Sequence, residues 1–255
     1  VNRAESQPLQ AQAVNVLAVK YLADACDWHD IPLVHVSTNY VFGGLDDGRR
    51  SPWLETDPLC PVGVYATTKC EGELAASEYK KSLIVRTAAL FGSPDDPFRD
   101  FIHAIMNAAR DISRPLRVVG DQFITPSYVP DVARAITYLT RSLVSGEIDL
   151  GDLEIEPTPC DDPIEGPYQF DHPYRVLHVT NRGETTWHHF AEVILRSAKM
   201  RRKVEEITSE ELTSTTPRPL YAVLDTDAYH RLGGPEMPEW EKALAVRFPD
   251  EDLLL

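Results

Sequence analysis

Apolar positions change their period repeatedly along this chain, and the changes mark out its elements. Leu9, Ala13, Val16, Leu17, Tyr21 and Leu22 recur at helical spacing and predict a helix from Ser6 to about Trp28. The run at 31–37, Ile-Pro-Leu-Val-His-Val-Ser, is too short for a core helix and partly β-branched, so it predicts a buried strand with Thr38 at its carboxyl end. Residues 39–61, rich in Gly, Asp and Pro, read as a loop, and 62–80 as a helix. A second buried strand is expected at 82–88, a helix at 97–110, a strand at 116–119 and a helix at 129–144. Further on, 174–179 reads as a strand, and Thr185 or Thr186 caps a helix running to about Ala198. A loop at 213–224 and short helices near 225–232 and 240–246 complete the pattern, with no internal repeat. Strands alternating with helices imply an α/β fold with a parallel, doubly wound sheet, whose ligands sit at the carboxyl ends of the strands.

Composition changes after the helix at 129–144. Between Gly146 and Asp171 stand nine acidic residues, no basic one and four prolines. Charge and proline keep such a stretch from burying much, so 146–173 reads as a solvated acidic, Pro-rich insertion. It divides a first domain, 1–145, from a smaller C-terminal lobe, 174–255, to which about 91–128 contributes. The net charge of −15 and the pI near 4.9 argue against nucleic acid or an anionic membrane as the main partner. A small anionic ligand remains compatible, because local charge sets a pocket. No apolar run approaches the roughly 20 residues a membrane helix needs, and Val1-Asn2-Arg3-Ala4-Glu5 carries no signal-peptide pattern, so a cytoplasmic protein is expected. Cys26, Cys60, Cys70 and Cys160 lack Cys-x-x-Cys spacing and read as free thiols.

The candidate chemistry lies at Tyr65 and Lys69. Four residues apart on a helix, the phenol and the ammonium share one face, and a nearby cation would lower the tyrosine pKa from about 10 toward a working proton donor and acceptor. The Thr38 hydroxyl could then hold a carbonyl against the phenol. Tyr-x-x-x-Lys is by itself frequent on ordinary helix surfaces, so the signal depends on its surroundings. Adjacent His188 and His189 cannot share a helical face, and no metal site is expected. Trp53 and Trp187 read as packing residues in preference to sugar platforms.

Those surroundings form an ordered set: Ser37-Thr38-Asn39-Tyr40-Val41-Phe42, Pro52-Trp53 with Glu55 and Asp57, Tyr65 with Lys69, Arg86-Thr87, Asp121-Gln122-Phe123, Thr186-Trp187-His188, Arg218-Pro219 and Leu224-Asp225. In that order the chain resembles the dTDP-4-dehydrorhamnose reductase family, an atypical extended branch of the short-chain dehydrogenases. The resemblance implies a Rossmann-like sheet holding NADPH (or NADH), with a smaller lobe closing over a nucleotide-linked 4-keto-6-deoxy sugar whose C4 carbonyl is reduced. By matching position, Tyr65 would donate the proton and Lys69 would bind the nicotinamide ribose and lower the Tyr65 pKa. Thr38 would hydrogen-bond the carbonyl oxygen, while Asn39, Ala89 and Arg218 would face the substrate. Asn39 stands where the family has Asp, and Ala89 where it has the aromatic that packs on the sugar.

The family's Gly-x-x-Gly-x-x-Gly turn, which receives the cofactor pyrophosphate, is absent from these 255 residues. The expectation is therefore an N-terminally incomplete Rossmann-like sheet, part of a longer product, with the 31–37 strand as an apolar edge that leaves homo-oligomer formation open. Two other functions fit the same motifs. One is a non-catalytic, cofactor-binding regulatory subunit resembling the beta subunit of methionine adenosyltransferase, and the other is a related nucleotide-sugar epimerase or dehydratase.

Overall fold

The computed structural model describes residues 1–44, 48–92, 100–156, 168, 170–212, 216 and 218–248. The chain runs through α1 (Asn2–Ser6), α2 (Pro8–Gln12), a π-helical stretch Ala13–Leu17, α3 (Ala18–Trp28), β1 (Leu33–Thr38) and a 3-10 turn Asn39–Phe42. Next come α4 (Gly63–Ser77), β2 (Ser82–Thr87), β3 (Leu90–Phe91), α5 (Phe101–Arg110), β4 (Leu116–Val119), β5 (Phe123–Ile124), β6 (Ser127–Tyr128) and α6 (Val129–Ser145). The rest comprises β7 (Glu154–Ile155), β8 (Tyr174–His178), β9 (Thr185–Thr186), α7 (Trp187–Ser197), β10 (Val204–Ile207), α8 (Asp227–Arg231) and α9 (Trp240–Arg247).

Local chemistry explains several boundaries. Asp100 opens α5 by accepting from the His103 amide at 3.0 Å, and Thr186 opens α7 by accepting from the His189 amide at 3.1 Å. Pro130 sits in the first turn of α6, where its missing N–H costs nothing, and Gly146 at φ 76° ends that helix. The helix expected over 6–28 is broken, because Pro8 pushes Gln7 out of helical geometry to φ −137°.

The main sheet has the order β1-β2-β8-β7. The first three strands are parallel, with Thr38 opposite Thr87 and Arg86 opposite His178. Residues of β2 alternate between two cores. Leu83 and Val85 join Val132, Ala135 and Leu139 of α6, while Ile84 joins Val19 of α3 and Ala76 of α4. All six residues of β2 are buried, as a strand covered on both faces requires. The expected doubly wound α/β organisation is present, and β1 forms one outer strand of this sheet, with Val36 exposed.

Two expectations need correction. The alternation of elements places 116–119 in the main sheet, but β4 pairs instead in parallel with β10, Leu116 opposite Val204. The partner sequence Val-Glu-Glu-Ile is short and half charged, which hides it from a search for buried strands. The insertion is also less solvated than its charge suggests. Ile148 and Phe170 are buried, β7 pairs antiparallel with β8, and the Phe170 ring stacks on Tyr174 at 3.7 Å. Its most acidic part, 157–167, lies outside the described residues. A further core gathers Phe91, Ile102, Ile105, Phe190, Ile194 and Trp240, so that residues of 91–128 pack with residues from the C-terminal part of the chain.

Candidate active site

Parallel strands end together, and here the polar residues collect at that end. Thr38, the last residue of β1, accepts from the Tyr40 amide at 3.3 Å and so caps the 3-10 turn. Its hydroxyl donates to Asn39 Oδ1 at 3.4 Å and lies close enough to the Tyr65 phenol to lower its pKa. Tyr65 lies in the first turn of α4, and its ring meets the Tyr40 ring edge-on at 5.5 Å. One turn along, Lys69 Nζ donates to the Val36 carbonyl of β1 at 2.8 Å. The helical spacing of Tyr65 and Lys69 thus places both beside the end of β1.

The electrostatics differ from the expectation in one respect. Burial raises the Tyr65 pKa above the ordinary tyrosine value; the Thr38 hydrogen bond opposes this and the Tyr40 phenol adds to it. The anticipated lowering by Lys69 is therefore corrected: the phenol is a protonated donor at neutral pH. Burial also lowers the Lys69 pKa, with Glu73 opposing. Arg218 acts on Tyr40, lowering a pKa that burial raises.

Beneath this group lies a buried charged network. Glu73, one turn beyond Lys69, accepts from Arg86 Nη2 at 2.7 Å and Nε at 3.0 Å, both side chains fully buried. The Arg86 guanidinium lies 5.0 Å over the Phe42 ring, and His178 Nε2 stands 3.4 Å from Arg86 Nη1. Glu55 accepts from the His178 amide at 3.0 Å, and Asp57 pairs with Arg49 at 2.5 Å. The Pro-Trp-x-Glu-x-Asp motif therefore has a structural use. Trp53 stacks on Phe42 at 4.8 Å and is 1% exposed, the packing role expected for it.

The remaining candidates are placed as follows. Asn39 is buried, and its Nδ2 donates to the Ala222 carbonyl at 2.7 Å. Ala89 lies two residues beyond β2 at φ 41°, a left-handed conformation, and its carbonyl accepts from the Ser127 amide at 3.1 Å. Arg218 Nη2 reaches Asn2 Oδ1 at 3.5 Å, while its buried Nε has no hydrogen-bond partner among the described residues. The site thus joins Thr38 to Asn39 by a hydrogen bond, sets the Tyr65 phenol beside Thr38, and adds Arg218 through its charge near Tyr40. Ala89 is linked through the strand that carries Thr87, the register partner of Thr38. The buried hydroxyls of Ser37 and Thr87, both unpartnered among the described residues, escaped the sequence reading. Both belong to motifs of the ordered set, and the pairing register is what brings Thr87 beside Thr38.

A family model for the RmlD substrate binding domain matches residues 1–152 and 163–251. The chain belongs to the RmlD substrate binding domain family. Within that family it is 30% identical over 253 residues to a dTDP-4-dehydrorhamnose reductase of Aggregatibacter actinomycetemcomitans, covering 96% of this chain and 75% of the relative. It is 31% identical over 252 residues to one of Streptomyces griseus, covering 98% and 73%. Among solved structures, a dTDP-4-dehydrorhamnose reductase of Bacillus anthracis in complex with NADP superposes with a TM-score of 0.77 at 27% identity, covering 97% of this chain and 75% of the other. A Clostridium acetobutylicum relative gives 0.79 at 27% identity, covering 98% and 76%. This RmlD-family chain thus spans about three quarters of the length of these relatives.

Proposed function

We propose that the chain carries the catalytic and substrate-binding part of an oxidoreductase that reduces the C4 keto group of a nucleotide-linked 4-keto-6-deoxy sugar, as in cytoplasmic deoxysugar and polysaccharide synthesis. The supporting observation is the placement of the Tyr65 phenol beside the Thr38 hydroxyl at the carboxyl end of β1, with Lys69 one turn along α4 donating to the Val36 carbonyl of that strand. NADPH, or NADH, supplies a hydride when bound. An ammonium has three donors, and Lys69 spends one on the Val36 carbonyl, so the others suit the hydroxyls of a nicotinamide ribose, with Tyr65 beside it. The nicotinamide end of the cofactor therefore fits the residues present, whereas the glycine-rich cradle for its pyrophosphate is absent from these 255 residues.

The chain's own groups then divide the work. Thr38 turns its one hydroxyl proton from Asn39 Oδ1 to the C4 oxygen and so holds it. Tyr65, kept protonated by burial, gives its proton to that oxygen as negative charge develops there. The resulting phenolate faces the Thr38 hydroxyl, which favours its charged form, until it regains a proton. Arg218, whose Nε has no partner among the described residues, supplies a positive charge for the diphosphate of the substrate despite the net charge of −15.

Coenzyme oxidation with a dTDP-linked 4-keto-6-deoxyhexose, measured on the native-length protein that contains these residues, tests this reading. Tyr65→Phe is expected to lower kcat by about 10²- to 10⁴-fold while sugar-nucleotide binding, read by calorimetry, survives. Equal turnover by wild type and Tyr65→Phe would refute the assignment of Tyr65, and absence of wild-type turnover would refute the reductase reading.

A further inference from the structure

We propose that Asn39 is a positioning residue that clasps the segment 220–225 to the carboxyl end of β1 and thereby sets Thr38 against Tyr65 and Arg218 against Tyr40. Its kinetic consequence rests on the reductase reading above, but the clasp itself does not.

Residues 220–225 pass between two hydrogen-bonding partners. On one side Trp53 donates its amide to the Val223 carbonyl at 2.9 Å and its indole Nε1 to the Tyr221 carbonyl at 2.9 Å, and accepts from the Asp225 amide at 2.8 Å. On the other, the Phe123 amide donates to Leu220 at 2.7 Å and the Ala222 amide donates to Phe123 at 3.0 Å. The Ala222 carbonyl points instead at the start of the 3-10 turn that follows β1, where Asn39 Nδ2 meets it at 2.7 Å. The same 3% exposed side chain accepts from the Thr38 hydroxyl through Oδ1 at 3.4 Å. Asn39 is therefore bifunctional: one atom orients the candidate catalytic hydroxyl and the other fixes the segment that follows Arg218 and Pro219. A carboxylate of the same size has no donor, so it would face the Ala222 carbonyl oxygen with a negative charge. An amide fills both roles at any pH.

The test compares Asn39→Asp and Asn39→Ala with wild type in the native-length protein that contains these 255 residues. Amide hydrogen exchange across 220–225, which needs no activity, is expected to quicken at least tenfold in both variants at neutral pH. With the dTDP-linked keto sugar, kcat/KM should fall at least tenfold in both. In Asn39→Asp it should recover as the pH is lowered, because the protonated carboxyl can donate to Ala222; in Asn39→Ala the loss should be independent of pH. The charged and titratable groups around position 39 include Tyr65 and Lys69 of α4, Tyr40 of the 3-10 turn and Arg218. Burial raises both phenols and the guanidinium stays charged, so an ionisation absent from the wild-type profile belongs to the new side chain. Unchanged exchange across 220–225, or an Asn39→Asp profile parallel to wild type, would overturn the proposal. If wild type shows no turnover, the reductase reading fails, and exchange alone then decides the clasp.

Discussion

At the scale of single residues, two groups in the site are pushed in opposite directions by the same cause. Burial disfavours whichever form is charged, so it raises Tyr65 from its ordinary 10.0 and lowers Lys69 from its ordinary 10.5. Lys69 therefore gives up its charge at a lower pH than an ordinary lysine, while Tyr65 keeps its proton past the ordinary tyrosine range. As pH rises, the KM for NADPH should climb first, from loss of the ammonium, and kcat should fall only later. Steady-state profiles in both substrates check the order, and kcat falling first would contradict it. Ala89 makes a second residue-scale case. At φ 41° an alanine is strained by roughly 1 kcal/mol relative to glycine, so Ala89→Gly should be neutral or stabilising by up to about 1 kcal/mol in urea denaturation. Tyr65, Lys69 and Thr38 were legible because helical spacing and strand ends are local properties. The partner of Asn39 was not, because a backbone carbonyl 183 residues away leaves no mark on sequence.

At the scale of elements, α4 is joined to β2 through charge as well as apolar packing. Tyr65, Lys69 and Glu73 repeat every four residues, and the last of them meets Arg86 of β2 with both side chains fully buried. Removing one member leaves an uncompensated buried charge, so Glu73→Ala or Arg86→Ala should cost about 3–5 kcal/mol. A hydrophobic pair of matching volume, Glu73→Leu with Arg86→Met, should recover most of that loss, as read by denaturant midpoints of the three variants. If the double substitution is no more stable than the singles, the network contributes more than the pair alone. The main parallel strands were legible because residues such as Leu83, Ile84 and Val85 are apolar on both faces, the mark of a buried strand. The β4–β10 pair was not: the Glu205 and Glu206 carboxylates face solvent, and a four-residue strand half exposed looks like a loop.

At the scale of the whole molecule, the charged network makes stability depend on acid. His178 is buried beside Arg86, and its pKa is held well below 6.5, chiefly by burial and then by that guanidinium. His35, on β1, is lowered to about 4 by burial and by Lys69, with Glu73 opposing. Between pH 6.5 and 5 both stay neutral in the folded protein, whereas the unfolded chain protonates them. The unfolded state then binds more protons, and stability falls as pH drops through this window. Glu55, raised by burial, acts in the opposite sense, since folding favours its proton. Two histidines against one carboxyl give a net loss. A tenfold difference in proton affinity between folded and unfolded chain is worth about 1.4 kcal/mol, so the part-buried His35 alone should contribute on the order of 1–2 kcal/mol between pH 6.5 and 5. His35→Gln, which cannot take up that proton in the unfolded chain, should flatten the dependence by this amount, measured as unfolding free energy in urea at the two pH values. A variant that keeps the full wild-type slope would show that His35 takes up its proton equally in the folded and unfolded chain.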